Sequence, residues 1–291
     1  MNFSRSALLA CAVLAVALSG CGGNDNATLS GSEAGAPPPR AGDGLQHIHG
    51  LGVSANTLLI ATHTGLWAAP EGRTKARRVG VSRQDVMGFS VLSKGRFIGS
   101  GHPGPAQNLP PNLGLIESSN DGKSWKNISL EGQADFHVLV SAGARAYGFD
   151  GTKGRLMVSS DSGRTWTQRT PPTPMFSLAV DPDSPDHFVT STGRGLFESK
   201  DAGRSFRALA SRHPLVGLLA WSAKTGLFLV DGRGQVRRSP AGGRGWQPVG
   251  SIGGQPAAFI AHGDDLYAAL ADNTVKRSTD RGQSWAVRAT P

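Results

Sequence analysis

An all-β fold built from six repeated units is predicted by three features of this 291-residue sequence. An eight-residue motif, typified by SSDSGRTW at 159–166, recurs at steps of 39 to 41 residues. About four short apolar or alternating runs accompany each copy, as expected for β-strands. The pattern contains no helical segment of any length. A period of about forty residues with four strands is typical of the blades of a β-propeller.

Each predicted blade is continuous in sequence and antiparallel. In the third blade, the runs FHVLVSA, RAYGF, RLMVSS and WTQRT are the four strands in order. The first strand is expected to line a central channel, and the repeated motif joins the third strand to the fourth. Counting from HIHGLGV at 47–53 to WAVRA at 285–289 gives six four-stranded blades within residues 45–291.

The repeated motif resembles the Asp-box, or bacterial neuraminidase repeat. Its Asp and Ser side chains can accept backbone amides in a tight turn, and its Gly tolerates a positive φ. The closing aromatic ring packs between sheets. We therefore expect structural rather than catalytic roles for Ser118, Asn120, Ser159, Asp161, Gly163, Trp166, Ser199, Asp201, Gly203, Ser278, Asp280, Gly282 and Trp285. The fifth copy, SPAGGRGW, has Ala241 where the acid would stand.

The first 44 residues predict export and anchoring. A short apolar stretch follows Arg5 and ends in Leu-Ser-Gly-Cys at 18–21, which resembles a bacterial lipobox. The resemblance implies a lipoprotein signal peptide over 1–20 and a lipid on Cys21. Residues 21–44 are then the lipidated cysteine and a disordered tether. Loss of Cys11 with the signal would leave no free thiol, which excludes cysteine nucleophiles, disulfides and cysteine-bound metals.

These features predict a protein of the cell envelope, anchored on the exported side of a bacterial membrane. The formal net charge of +9 comes from scattered basic residues. Outside the cytoplasm an anionic membrane or cell-wall surface is a more accessible partner for these charges than nucleic acid, so we expect no nucleic-acid partner. The expected partners are the membrane, through the anchor, and an envelope protein or glycan. A monomer is predicted.

Polar residues concentrate at one end of the first three predicted blades. The start of a first strand and the end of the antiparallel second strand meet at the same rim. The residues predicted on that rim are His47, His49, His63, Asp85, Met87, His102, Asp135, His137 and Asp150. Matching positions in the last three blades carry Met175, Ser177, Leu215, Gly217, Ala257 and Phe259. A loop about ten residues longer than its counterparts follows His102 and is expected over the same rim.

The uneven distribution of imidazoles favours a transition-metal site. Neutral imidazoles suit copper and zinc, and the thioether of Met87 favours copper. The predicted ligands are three of His47, His49, His63, His102 and His137, and Asp85 or Asp135 would orient a ring. Because His47 and His49 are two residues apart, both rings are expected on one side of the first strand. They would join His137 and either His63 or His102.

Two other functions remain open. The stretches HIHGL, ATHTGL, DVMGF, SGHPG, NLGLIESS, ADFH and YGFD resemble a group of bacterial Asp-box lipoproteins often described as glycosyl hydrolases. That resemblance implies a sialidase-like fold, and a hydrolase would use rim carboxylates drawn from Asp85, Asp135 and Asp150. A sialidase is disfavoured, because neither Tyr147 nor Tyr267 falls on the rim. The other candidate is a non-catalytic assembly scaffold. The sequence alone does not establish whether the protein is an enzyme.

Overall fold

The computed structural model describes residues 44–105, 107–211 and 213–291, and in these ranges the fold is the predicted six-bladed β-propeller. The described residues form six four-stranded antiparallel sheets and contain no helix. They accordingly include no helical segment that could span a membrane. The predicted signal peptide, Cys21 and all of the tether except Gly44 lie outside the described residues.

Each blade uses four strands that are consecutive in sequence. Blade 1 contains β1 (Ile48–Ser54), β2 (Thr57–Thr62), β3 (Gly65–Pro70) and β4 (Arg77–Arg78). Blade 2 contains β5 (Asp85–Ser93), β6 (Arg96–His102), β7 (Leu115–Ser118) and β8 (Lys126–Ser129). Blade 3 contains β9 (Phe136–Ala142), β10 (Arg145–Asp150), β11 (Arg155–Ser159) and β12 (Thr167–Arg169). Blade 4 contains β13 (Met175–Asp181), β14 (Ser184–Thr192), β15 (Gly195–Ser199) and β16 (Arg207–Ala208). Blade 5 contains β17 (Leu218–Ser222), β18 (Gly226–Val230), β19 (Gln235–Ser239) and β20 (Gln247–Ser251). Blade 6 contains β21 (Pro256–His262), β22 (Asp265–Leu270), β23 (Val275–Ser278) and β24 (Ala286–Ala289).

The hydrophobic core is divided among the blade boundaries. In the described residues, one cluster of buried apolar side chains lies at each of the six boundaries between neighbouring blades. At the boundary of blades 3 and 4, for example, the rings of Tyr147 and Phe188 lie 4.9 Å apart, and both are fully buried. Second strands such as TLLIAT read as continuous apolar runs because both of their faces are covered by neighbouring blades.

Hydrogen bonds between the first and last blades close the ring. Arg288 of β24 is buried, and it donates from Nη2 to the Ala69 carbonyl (2.7 Å) and from Nη1 to the Arg73 carbonyl (3.0 Å). The Thr290 amide donates to the Thr74 carbonyl at 2.8 Å. Because every blade keeps its own four strands, these contacts and the packing of β21 against β1 are what join the first blade to the last.

The repeated motif forms a tight turn between the third and fourth strands. In blade 3, Ser159 Oγ donates to Asp161 Oδ1 (2.7 Å) and accepts the Gly163 amide (2.8 Å). The Asp161 carboxylate also accepts the Thr165 amide at 2.9 Å. Gly163 has a φ of 86°, and a Cβ there would lie 2.1 Å from the side chain of Leu115. The turn therefore requires glycine at this position and hydrogen-bonding side chains around it.

A β-bulge recurs near the start of the innermost strand in five of the six blades. At each one, a residue of the first strand has no partner on the second strand, although its neighbours on both sides pair. The bulged residues are His49, Met87, His137, Phe176 and Ala257. All five line the central cavity, which has a volume of about 1080 Å³. The bulges therefore place one side chain from each of these blades around the mouth of the channel.

Candidate metal site at the channel mouth

Two histidines and one aspartate meet where blade 1 contacts blade 2. His49 is the bulged residue of β1, His63 follows the end of β2, and Asp85 is the first residue of β5. One potential ligand atom from each lies within 4.8 Å of those of the other two. His63 Nδ1 is 2.6 Å from Asp85 Oδ2, and His49 Nε2 is 3.3 Å from His63 Nδ1. Two imidazole nitrogens and one carboxylate form a donor set that zinc and copper accept.

The electrostatics of this group favour neutral imidazole at His49. Burial lowers the pKa of His49 to about 4, although the negative charge of Asp85 acts in the opposite direction. The ring is therefore unprotonated at neutral pH, which metal coordination requires. Asp85 Oδ1 is buried, has no hydrogen-bond partner among the described residues, and lies 3.5 Å from His49 Nε2. This acceptor is oriented toward the group and is not satisfied by the protein.

His47 lies beside His49 and His63, but it is not one of the three residues whose ligand atoms cluster within 4.8 Å. It precedes β1, has a φ of 45°, and is exposed. Its ring is stacked beside that of His49, with centroids 6.1 Å apart, and its centroid lies 5.0 Å from that of His63. The rings of His47 and His49 thus lie side by side, although the strand begins one residue after His47. His47 forms the outer wall of the group.

A second cluster lies one blade further around the ring. His137 Nε2 is 2.8 Å from Asp135 Oδ2, and His102 Nε2 is 3.5 Å from the same oxygen. The hydrogen bond with Asp135 raises the pKa of His137. The structure therefore groups the predicted ligands into two sets, and His137 and His102 belong with Asp135 rather than with His49.

From the sequence, Asp85 or Asp135 was expected only to orient a histidine ring. In the structure the Asp85 carboxylate is itself one of the three clustered donors, so Asp85 is a candidate ligand.

Met87 and Phe176 line the cavity beside the two clusters. The sequence pattern did not identify Phe176, since the alignment placed Met175 and Ser177 inward. A signal for the bulges was present in Gly50 and Gly88, which follow bulged residues, because glycine inside a strand often marks a bulge.

Of the three carboxylates proposed for hydrolysis, Asp150 has both oxygens hydrogen-bonded, whereas Asp85 and Asp135 each have one oxygen without a partner among the described residues. Asp150 is fully buried, accepts from Arg155 Nε (3.1 Å) and Thr152 Oγ1 (2.7 Å), and adjoins His137 through Gly151. Burial raises the pKa of Asp150, but these hydrogen bonds outweigh it and the pKa is lowered overall. A carboxyl group held ionised in this way is a poor general acid.

The two tyrosines are also unavailable as nucleophiles at the rim. The Tyr147 hydroxyl donates to the Pro185 carbonyl at 2.7 Å, and the ring is fully buried. Tyr267 is buried in the apolar cluster between blades 1 and 6. Both phenols are thus held away from the rim by their packing, where the sequence also placed neither of them.

No protein-family model and no curated protein matches this sequence. Several solved structures resemble its fold. A GH74 xyloglucanase from Xanthomonas campestris has a TM-score of 0.57 and 16% identity, over 84% of this chain and 45% of that chain. A chain of the nidogen/laminin complex has a TM-score of 0.59 and 16% identity, over 76% of this chain and 88% of that chain. YCF48 bound to D1 peptide has a TM-score of 0.51 and 14% identity, over 83% of this chain and 82% of that chain.

An ancestral GH74 enzyme has a TM-score of 0.57 and 12% identity, over 84% of this chain and 38% of that chain. This chain therefore spans less than half the length of either GH74 enzyme. Identities this low show a shared propeller fold. They do not transfer an activity, because the same fold carries catalytic and non-catalytic proteins.

Proposed function

We propose that this protein is an exported, lipid-anchored propeller that binds a transition-metal ion, copper or zinc, through His49, His63 and Asp85. The observation that carries the proposal is the convergence of their three ligand atoms within 4.8 Å of one another. The buried, unpartnered Asp85 Oδ1 and the neutral His49 ring support it further. A cation among these atoms would satisfy the carboxylate oxygen that the protein leaves without a partner.

The donor set leaves room for a ligand from solution. A tetrahedral zinc ion takes four ligands, and three protein ligands leave one position for water or a solute. The side chain of His63 is 41% exposed, whereas those of His49 and Asp85 are 17% and 18% exposed. The group is therefore fixed on its inner side and open on its outer side. This arrangement suits an ion that is exchanged or that meets a solute at the channel mouth.

The anchoring part of the proposal rests on the Leu-Ser-Gly-Cys sequence ending at Cys21. Gly44, the first described residue, accepts a hydrogen bond from Thr64 Oγ1 at 2.9 Å, so the described chain begins next to His63. A lipid anchor attached through residues 22–43 would therefore join the propeller at its histidine face. We expect Cys21→Ser to yield uncleaved or released protein, and normal processing with unchanged membrane fractionation would contradict the anchor.

The metal proposal is tested by titrating untagged, metal-free protein with Zn²⁺, Cu²⁺ and Cu⁺ and measuring bound metal by elemental analysis. The His49→Ala/His63→Ala variant should lose binding at this site, because two of its three ligands are gone. His262→Ala is a matched control, since His262 is an exposed imidazole at the far end of β21. Negligible metal content, or content indifferent to the double substitution, would contradict the proposal.

A non-catalytic binding module is the second candidate. Among the described residues, five large apolar side chains are exposed, and four of them lie on the histidine face: Val81, Leu109, Phe176 and Val216. Exposed apolar groups gathered on one face favour contact with another molecule. Assays against aryl glycosides and xyloglucan separate this candidate from a hydrolase. Turnover that disappears in Asp85→Asn would favour hydrolysis.

A further inference from the structure

The pairing of His63 with Asp85 recurs one blade further around the ring. His63 follows the end of β2 and meets Asp85 at the start of the next blade's first strand. His102 ends β6 and meets Asp135, which immediately precedes the first strand of the following blade. In both places an imidazole from a second strand faces a carboxylate of the next blade. The propeller repeat has thus produced two related His/Asp pairs.

A hydrogen bond to the long loop orients His102 so that its Nε2 faces Asp135. His102 Nδ1 lies 2.8 Å from the carbonyl oxygen of Pro111, in the long loop that follows β6. Because a carbonyl can only accept, Nδ1 carries a proton, and Nε2 is left to bind either a proton or a metal ion. That Nε2 faces Asp135 Oδ2 at 3.5 Å. When it is unprotonated, this Nε2 and Asp135 Oδ2 are two electron-pair donors beside each other, and proteins commonly orient metal-binding histidines through a carbonyl that accepts from the other ring nitrogen.

Asp135 is fixed and only partly satisfied. Its side chain is 1% exposed, and its buried Oδ1 has no hydrogen-bond partner among the described residues. Burying an incompletely bonded carboxylate is costly unless a positive charge compensates it. His137 Nε2 reaches the other oxygen, Oδ2, at 2.8 Å. The side chains of His102 and His137 are 41% and 46% exposed, so an ion from solution has access to the carboxylate beside them.

We propose that His102, Asp135 and His137 form a second site for a divalent transition-metal ion, so that the chain binds two ions. This site goes beyond the proposed function, because it shares no residue with His49, His63 and Asp85. Met87 is the bulged residue of blade 2, where blades 1 and 3 carry His49 and His137. Its thioether therefore lies between the two clusters in the order of the blades.

The test is the stoichiometry of Zn²⁺ bound to untagged, metal-free protein, measured by titration and elemental analysis. Wild-type protein should bind two ions per chain. His102→Gln/His137→Gln should bind one, His49→Gln/His63→Gln should bind one, and the combined variant should bind none. His213→Gln/His262→Gln, which changes two histidines outside both clusters, should still bind two. Thermal melting establishes that each variant is folded.

The outcomes distinguish the two proposals. A wild-type ratio of one that His102→Gln/His137→Gln leaves unchanged would overturn the second site and leave the first intact. A ratio of one that is lost only in that variant would overturn the first site and support the second. If a variant fails to fold, Co²⁺ titration of the wild type decides, because the visible absorption of bound Co²⁺ should saturate at two equivalents. Saturation at one equivalent would overturn the two-ion proposal.

Discussion

His63 Nδ1 lies 2.6 Å from Asp85 Oδ2, and the two residues belong to different blades. The candidate site is therefore assembled across a blade boundary, above the apolar cluster that contains Leu59 and Phe97. A ligand that binds both residues in the folded protein stabilises it, by an amount that rises with the logarithm of the ligand concentration relative to its Kd. Metal binding should consequently raise the melting temperature of the protein, and the increase should vanish in variants that cannot bind.

Asp85→Asn should weaken metal binding at the first site by about 10- to 100-fold or more, because losses of this size follow even the removal of an outer-shell partner. The amide keeps the shape of the carboxylate but removes its charge. Competition with a chromophoric chelator measures the affinity. Asp264→Asn, which changes an exposed partner of Lys224, serves as the control and should leave the affinity unchanged. Equal affinities for wild type and Asp85→Asn would exclude Asp85 as a ligand.

The His49 ring should titrate well below an ordinary histidine in the metal-free protein. Burial holds its pKa at about 4, and the negative charge of Asp85 keeps it from falling further. Nuclear magnetic resonance of the imidazole carbons should show His49 neutral from pH 5 to 8. Asp85→Asn should shift the midpoint to still lower pH. A midpoint near 6.5 in the wild type would show that the ring is not buried as described.

Ser199→Ala should destabilise the fold by about 1–3 kcal/mol, because the buried Gly203 amide loses its acceptor. Ser205 lies in the same turn, but its hydroxyl is exposed and donates to Asp201 at 2.6 Å. Ser205→Ala should therefore cost no more than about 0.5 kcal/mol. Urea denaturation measures both changes. A similar cost for the two serines would show that the buried hydroxyl has no special role.

Acid should remove the stabilisation that comes from the turn carboxylates. The Ser205 and Ser284 hydroxyls and backbone amides hold the pKa of Asp201 and of Asp280 down to about 2. An unfolded aspartate has a pKa of about 4, so these groups stabilise the fold above that pH, and the contribution is lost as pH falls toward 2.

The matched variant is Asp201→Asn/Asp280→Asn. Asparagine already serves this turn in blade 2, where Asn120 Oδ1 accepts the Ser124 amide at 3.0 Å. The variant should fold and should lose less stability between pH 4 and pH 2 than the wild type. The urea midpoint at each pH measures the difference, which is modest because both carboxylates are exposed to solvent. An identical acid profile would argue against the role of these two groups.

Arg288→Ala should destabilise the ring closure by about 3 kcal/mol, because it removes two charge-assisted hydrogen bonds to buried or partly buried carbonyls of blade 1. Lys224→Ala is the control. It removes an exposed ion pair with Asp264 that connects blades 5 and 6, and it should have little effect on stability. The free energy of unfolding in urea measures both. Equal stability of the two variants would show that closure does not depend on Arg288.

The sequence predicted the architecture because its decisive signals are local. The hydroxyl, carboxylate and glycine of a turn such as Ser159–Gly163 act within five residues, and the forty-residue period then fixes the number of blades. The site was predicted less completely because its contacts are not local. Strand alternation assumes regular pairing, whereas the bulges at His49 and His137 shift the alternation by one residue. The choice of partner, His63 with Asp85 and His102 with Asp135, depends on the packing of one blade against the next.

The repeated bulge has a consequence for how the binding chemistry of such a protein can evolve. The five bulged positions carry histidine, methionine, histidine, phenylalanine and alanine on nearly equivalent backbone. None of these residues pairs within its sheet at that point, so replacing one alters the mouth of the channel with little disturbance to the strands. Single substitutions at these positions could therefore alter the selectivity of the mouth independently in each blade. Duplicated blades provide the positions, and divergence at each one adjusts the chemistry.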